Sequence, residues 1–388
     1  MAGVLKAKPV ERIAVFPCER VSHTEYYLNG AARSESSDEE SAFQLFTQAG
    51  ELLSRKNVQP VQEKIFGLRS FRDDILSMRR ESYSKTGADP QLPYTFVEGA
   101  PVDKMKFAGL QIWGIAPHGG GGNVVSTMEL PDGTSGRCWN GEGFRMLYFP
   151  FIRAIEEEED CVTCHAREMF SNASAALQNC GLSFGNVIRT WIYVARLLDW
   201  YGEFNRIRNE HFNEEGLARE KGSVVFPAST GIQGKSFDEE CFMDFVALEN
   251  YGTGGAKVTP IVTTSRQNQP SIYGSAFSRG MAVEIEGKPT VFVSGTASID
   301  ALGGTVNPGD AETQAVETLL NIAALLDDQG GSLTDICSAT VYCKSQEAYE
   351  IYQRVLHLLG APSFPSICVI ADICRPDLEI EIEAVAIV

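Results

Sequence analysis

An α+β fold of two tandem β-α-β-α-β units, each a mixed sheet backed by two helices on one face, is predicted by the part of this chain that follows residue 90. The order strand, helix, strand, helix, strand runs once from Phe144 and again from Gly280. Asn186 to Val194 aligns with Asp335 to Cys343 at an offset of 149 residues, and Phe204-Asn-Arg-Ile with Tyr352-Gln-Arg-Val at 148. Phe226-Pro227 matches Phe364-Pro365. Self-similarity at a fixed spacing marks a duplicated unit, and alternating strands and helices bury one face of a sheet under helices.

The elements follow in order. Ile13-Ala-Val-Phe-Pro is a short strand candidate, and the Ser34 to Ser41 run is a solvated loop that caps a helix starting near Ala42. Phe107 to Ile115 and Phe144 to Ile152 have strand character, with Leu130-Pro-Asp-Gly-Thr as a hairpin turn. A helix from Ala154 to Leu177, a strand from Asn186 to Val194, a helix from Leu197 to Phe212, and strands Ser223 to Thr230 and Cys241 to Leu248 complete the first unit. Gly252-Thr-Gly-Gly-Ala reads as a linker. The second unit has strands Gly280 to Glu286 and Thr290 to Thr296, helix Ala311 to Asp328, strand Ile336 to Cys343, helix Gln346 to Leu359 and two closing strands. The expected organisation is an N-terminal extension of uncertain structure over 1–90, a degenerate first unit over 91–255 and a catalytic second unit over 256–388.

With 51 acidic against 33 basic residues the net charge is −18, and no cluster of Lys and Arg offers a phosphate-binding surface. Nucleic acid is therefore excluded as a partner. No apolar run approaches the roughly 18 residues of a membrane span, and the start Met1-Ala-Gly-Val-Leu-Lys lacks a signal core, so a cytoplasmic protein is expected. The ten cysteines are scattered, which predicts reduced, half-buried thiols.

Three motifs tempt. His118 with four following glycines and Gly181-Leu-Ser183-Phe-Gly185 imitate a serine-hydrolase elbow, but that elbow needs a strand before the serine and a helix after it, and here the order is reversed. Cys161-Val-Thr-Cys164-His165 matches the c-type haem attachment pattern, yet it lies in a charged helix without a second ligand, and reduced cysteines are expected there. Histidines 23, 118, 165, 211 and 357 are too dispersed for a cluster, so acid or base chemistry falls to a carboxylate. The closing strand supplies candidates: Glu379, Glu381 and Glu383 alternate with Leu378, Ile380 and Ile382 and share one face.

Phe292-Val-Ser-Gly295-Thr296-Ala297-Ser298-Ile299, Asn307-Pro-Gly-Asp310 with Gln314 and Asn321, Phe364-Pro365 and Glu381-Ile-Glu-Ala384 resemble the RidA (YjgF/YER057c/UK114) superfamily. Phe277-Ser278-Arg279 and Ala371-Asp372-Ile373-Cys374-Arg375-Pro376-Asp377-Leu378 are most similar to the chorismatases within it. The resemblance covers 270–388 strongly and 145–250 weakly. It implies cleavage of the enolpyruvyl ether of chorismate, or of a related small carboxylate, with release of pyruvate and without metal or organic cofactor. Glu381 matches the catalytic acid. Arg279, Arg354, Arg375 and Arg189, with Arg206, are the candidates for binding substrate carboxylates, joined by Cys374, Gly295, Thr296, Ala297 and Tyr193. The place of Glu381 in the first copy falls near Asp244. The site is expected at an interface, between subunits of a homotrimer or between the copies in a monomer. An enamine or imine hydrolase or tautomerase on another small carboxylate, and a catalytically silent ligand-binding protein of this fold, are the alternatives.

Overall fold

A computed structural model describes residues 12–388 apart from 34, 120, 121, 131, 156–160, 218–225 and 252–253. The linker at Gly252-Thr253, the start of the strand expected at Ser223 and part of the turn at Pro131 lie outside the described residues. So does part of the first turn of the helix expected from Ala154.

Three units of one topology are present where two were expected. In the first, β1 (Ala14–Glu19) and β2 (His23–Ala31) form a hairpin, followed by α1 (Asp38–Lys56), β3 (Gln59–Gly67), α2 (Arg72–Thr86) and β4 (Thr95–Glu98). After the two-residue β5 (Ala100–Pro101), β6 (Phe107–Pro117) inserts between β2 and β3, giving the order β1-β2-β6-β3-β4. The extension over 1–90 is therefore most of a complete unit, and the strand at Phe107, assigned above to the following unit, closes this one. Ser37 caps α1, with Asp38, Glu39 and Glu40 in its first turn against the helix dipole.

The second unit contains β7 (Val125–Glu129), β8 (Ser135–Gly141), β9 (Phe144–Arg153), α3 (Val162–Asn179), β10 (Val187–Val194), α4 (Leu197–Glu214), β11 (Ala228–Gln233) and β12 (Cys241–Asn250). The third contains β13 (Lys257–Ile261), β14 (Gly280–Ile285), β15 (Lys288–Ala297), α5 (Ala311–Asp327), β16 (Ile336–Cys343), α6 (Gln346–Leu359), β17 (Ser366–Ile370) and β18 (Ile380–Ile387). Their sheets run β11-β10-β12-β9-β8-β7 and β13-β14-β15-β18-β16-β17-β5. In each unit the last long strand lies between the hairpin and a parallel strand pair, and β10 and β16 keep the expected offset.

The helices cover one face of each sheet, and three separate apolar clusters fill those layers. The opposite faces turn toward one another and share a fourth cluster drawn from all three units, including Tyr27, Trp113, Trp139, Tyr148, Trp191 and Phe292. The units meet head to tail, β11 against β15, β17 against β2 and β6, and β3 against β7 and β8. Backbone contacts lock the joints: Ser278 N–H donates to Pro227 O at 3.0 Å, and Glu98 N–H to Lys235 O at 2.6 Å.

Matching the strand registers at the same bulge aligns Gln62, Arg189 and Ser338, then Lys64, Trp191 and Thr340, and on the facing strands Gln111, Asp244 and Glu383. Asp244 is thus the counterpart of Glu383, and the place of Glu381 is taken by Phe242 in the second unit and Gly109 in the first. The correction is two positions along the strand, which leaves the residue on the same face of the sheet.

One further expectation changes and another holds. Cys161 and Cys164 form a disulfide across the N-terminal turn of α3, their Cα atoms 5.2 Å apart, and the remaining eight cysteines are free. Ser183 caps a 3-10 turn with Asn186, as Ser332 does with Asp335, which confirms it as the turn of a repeat.

Candidate active site between the second and third units

A cleft of about 190 Å³ opens where β11 and α4 of the second unit face β15, β18 and the 372–378 segment of the third. Glu381 is on its wall. Its neighbours across the sheet are Ala297 on β15 and Tyr342 on β16, and it is 4% exposed. Among the described residues, no hydrogen bond or ion pair reaches its carboxyl group. Burial, joined by repulsion from Glu383 and opposed by Arg189, pushes its pKa up to about 8. The group is therefore a carboxylic acid at neutral pH.

The backbone beside it is shaped by a bulge in β15 between Val293 and Thr296. Gly295 sits in that bulge, and a Cβ built on it would lie 2.1 Å from Glu381 Oε1. Its N–H donates to Thr230 Oγ1 at 3.1 Å, an oxygen that also accepts from Arg189 Nη2 at 2.6 Å. Gly295→Ala is expected to displace the acid and lower kcat by more than tenfold while leaving the circular dichroism spectrum unchanged. A fully active variant would show that this close approach does not hold the acid in place.

Three arginines reach the cleft. Arg279 is buried, donates from Nε and Nη2 to Asn268 O at 3.0 and 2.8 Å, and lies 5.6 Å from the Tyr273 ring centroid. Arg375 faces the same ring at 5.7 Å and is anchored by Gly303 O at 2.7 Å. The third is Arg208 on α4, which is buried, bonded through Nη2 to Asn205 Oδ1 at 2.7 Å, and has an Nε without a hydrogen-bond partner among the described residues. Cys374 also lines the cleft, and burial raises its pKa, leaving a neutral thiol.

Of the residues expected here, Glu381, Arg279, Arg375, Cys374, Gly295 and Ala297 line one cleft. The others do not. Arg354 is exposed on α6, and Arg206 is exposed and paired with Glu203 and Glu210. Arg189 turns toward the axis of the molecule and binds Glu383 at 2.7 Å. Tyr193 stacks on Phe242 at 4.7 Å, and the Thr296 hydroxyl bonds to Ser294 O. Arg354 and Arg206 lie outside the cleft because an arginine on an amphipathic helix takes the solvated face. Arg208 was overlooked although a signal existed: Tyr201, Asn205 and Arg208, spaced by four and three, share one face of α4.

At the two other junctions the positions equivalent to Glu381 are packed shut. At the first–second junction Phe242 and Phe237 pack on Phe151 at 5.1 and 5.5 Å. At the third–first junction Gly109 has φ 146°, and a Cβ there would meet Gly30 O at 2.1 Å and Ile367 Cδ1 at 2.7 Å. Among the described residues, only the third of these three equivalent positions is an acid on the wall of a cleft.

The family model described as Endoribonuclease L-PSP matches residues 274–388, the third unit. A RutC family protein of Pyrococcus abyssi is 32% identical over 97 residues, which are 76% of its length and 25% of this chain. The chain belongs to the RidA (YjgF/YER057c/UK114) superfamily. Within the superfamily it is chorismatase-like. A chorismatase of Streptomyces rapamycinicus is 27% identical over 231 residues, 53% of this chain and 65% of that protein, so the match stops just short of two thirds of the relative. A crystal structure of a chorismatase superposes with a TM-score of 0.55 at 19% identity, covering 75% of this chain and 86% of the other, and shows the shared fold. Among the described residues of this RidA-superfamily chain no helix is long and apolar enough to cross a membrane.

Proposed function

We propose that this cleft cleaves the enolpyruvyl ether of chorismate or of a closely related small carboxylate, releasing pyruvate, with Glu381 as general acid. The observation that carries the reading is a carboxyl group held neutral by burial on the wall of a cleft lined by Arg208, Arg279 and Arg375. Planar guanidinium groups suit the two carboxylates of such a substrate and turn its vinyl carbon toward the acid. Glu381 transfers its proton to the methylene carbon, leaving an oxocarbenium ion and a carboxylate at residue 381. Water adds to the cationic carbon and loses a proton, giving a hemiketal. The resulting adduct collapses, the ether oxygen leaves as an alcohol and pyruvate is released. An acid with a pKa near the working pH serves both the forward transfer and its own reprotonation.

Imine hydrolysis fits less well. The arginine that the simpler superfamily enzymes place after the Phe-Pro pair has Ile367 in its position in the third unit, and the second unit, which faces the cleft, offers Ser229 and Thr230.

The pH profile tests the acid. Because the protonated form is the active one, kcat/KM with chorismate is expected to be flat at lower pH and to fall as pH rises through about 8. Activity already lost between pH 4 and 5, where an ordinary carboxyl titrates, would remove Glu381 from this role.

A further inference from the structure

We infer that a single small monovalent anion, of the size of chloride, binds on the axis where the three units meet, held between Lys64 and Arg189. The chamber there has a volume of about 40 Å³, room for such an ion and a companion water. Its polar wall comes from equivalent positions of the three sheets, and the chemistry of those positions is lopsided. Lys64 is 3% exposed, and its Nζ sits 3.7 Å over the Trp191 ring and 4.0 Å from Glu383 Oε1, with no shorter polar contact among the described residues. Arg189 is 2% exposed; its Nη2 binds Glu383 and Thr230, while its Nη1 has no hydrogen-bond partner among the described residues.

Several acceptors nearby are already engaged. Ser338 Oγ accepts from Gln111 Nε2 at 3.2 Å, and Gln111 Oε1 from the Thr340 hydroxyl at 3.3 Å. Glu383 gives one oxygen to Arg189 at 2.7 Å and the other to the Tyr342 hydroxyl at 3.4 Å. Asp244, whose charge also reaches Lys64, does not line the chamber and is saturated by Thr95, Tyr148 and the Phe151 N–H. Two cations and one carboxylate line the wall and the Asp244 carboxylate lies behind it, so the charges balance while Lys64 Nζ and Arg189 Nη1 still lack hydrogen-bond acceptors among the described residues. A water could accept from some of them but must place two hydrogens of its own where acceptors are scarce. An anion only accepts. The ion would be held by these local groups against a chain whose net charge is −18.

Bromide supplies the direct test, because its anomalous scattering separates it from water. Crystals of the full chain grown in bromide are expected to show a peak within about 3.5 Å of Lys64 Nζ and Arg189 Nη1. In solution, replacing gluconate by chloride at constant ionic strength should raise Tm by roughly 2 °C or more. Lys64→Met should lose both responses. Bromide peaks confined to the surface, or a Tm indifferent to the anion in the wild-type chain, would overturn the proposal, and the wild-type measurements decide it even if the variant folds poorly. Neither readout depends on turnover in the cleft.

Discussion

Glu381→Gln is expected to end pyruvate release from chorismate, with kcat falling by about 10² to 10⁴. The amide keeps the shape of the side chain but has no proton to give a carbon. KM should move little, because the substrate carboxylates are assigned to Arg208, Arg279 and Arg375, so the loss should fall on kcat. Substitution is also mild for the fold. The native group is already neutral in its buried setting, and Glu381 has no ion pair to break among the described residues. Coupled detection of pyruvate, with a thermal melt on the same preparation, checks both halves. Turnover persisting in a well-folded Glu381→Gln protein would remove the assigned acid, and pyruvate failing to appear even from the wild-type chain would remove chorismate as the substrate.

Arg189→Met should cost about 3–5 kcal/mol of stability, because it strands the Glu383 carboxylate in a buried setting. The pair is close, 2.7 Å from Nη2 to Oε2, with side chains 2% and 6% exposed. Lys64 at 4.0 Å is the remaining cation. A second effect has a definite sign. Arg189 lowers the pKa of Glu381, so its removal should shift the falling limb of the pH profile to higher pH. Urea unfolding measures the first effect and kcat/KM against pH the second. Arg189→Met combined with Glu383→Leu should recover much of the stability, since removing both charges avoids the unpaired carboxylate. If the double variant is no more stable than the single one, the pair is not the source of the loss.

The third unit was legible because its signals agree. Gly295-Thr-Ala, the Asp310 cap of α5 and the alternating closing strand each point to the same elements. The first unit was the least legible, for a physical reason. Its inner strand β3 reads Gln59-Pro-Val-Gln-Glu-Lys-Ile-Phe-Gly67, polar by composition, yet Glu63 and Lys64 are 1% and 3% exposed. Glu63 is buried because Arg79 of α2 grips both its oxygens at 2.9 and 2.6 Å. A hydropathy pattern treats such residues as surface, since the partner that permits burial is distant in sequence. Helix α2 hides the same way, with Arg79 at 1% exposure inside a strongly charged segment. The site was half legible. Residues of the third unit could be read from motif, whereas Tyr201, Asn205, Arg208 and Gly231 join it only through the packing of another unit.

A self-associating ring of one repeated polypeptide must make its three junctions alike, because any substitution appears at all of them. Joining the three units end to end removes that constraint. Phe242 could fill one junction and Gly109 close another without cost to the place where Glu381 sits. For the proposed site it also sets an expected stoichiometry and dilution behaviour: one substrate equivalent per chain, and halves that stay together at nanomolar concentration, since the second unit is tethered to the third at an effective concentration fixed by the chain itself.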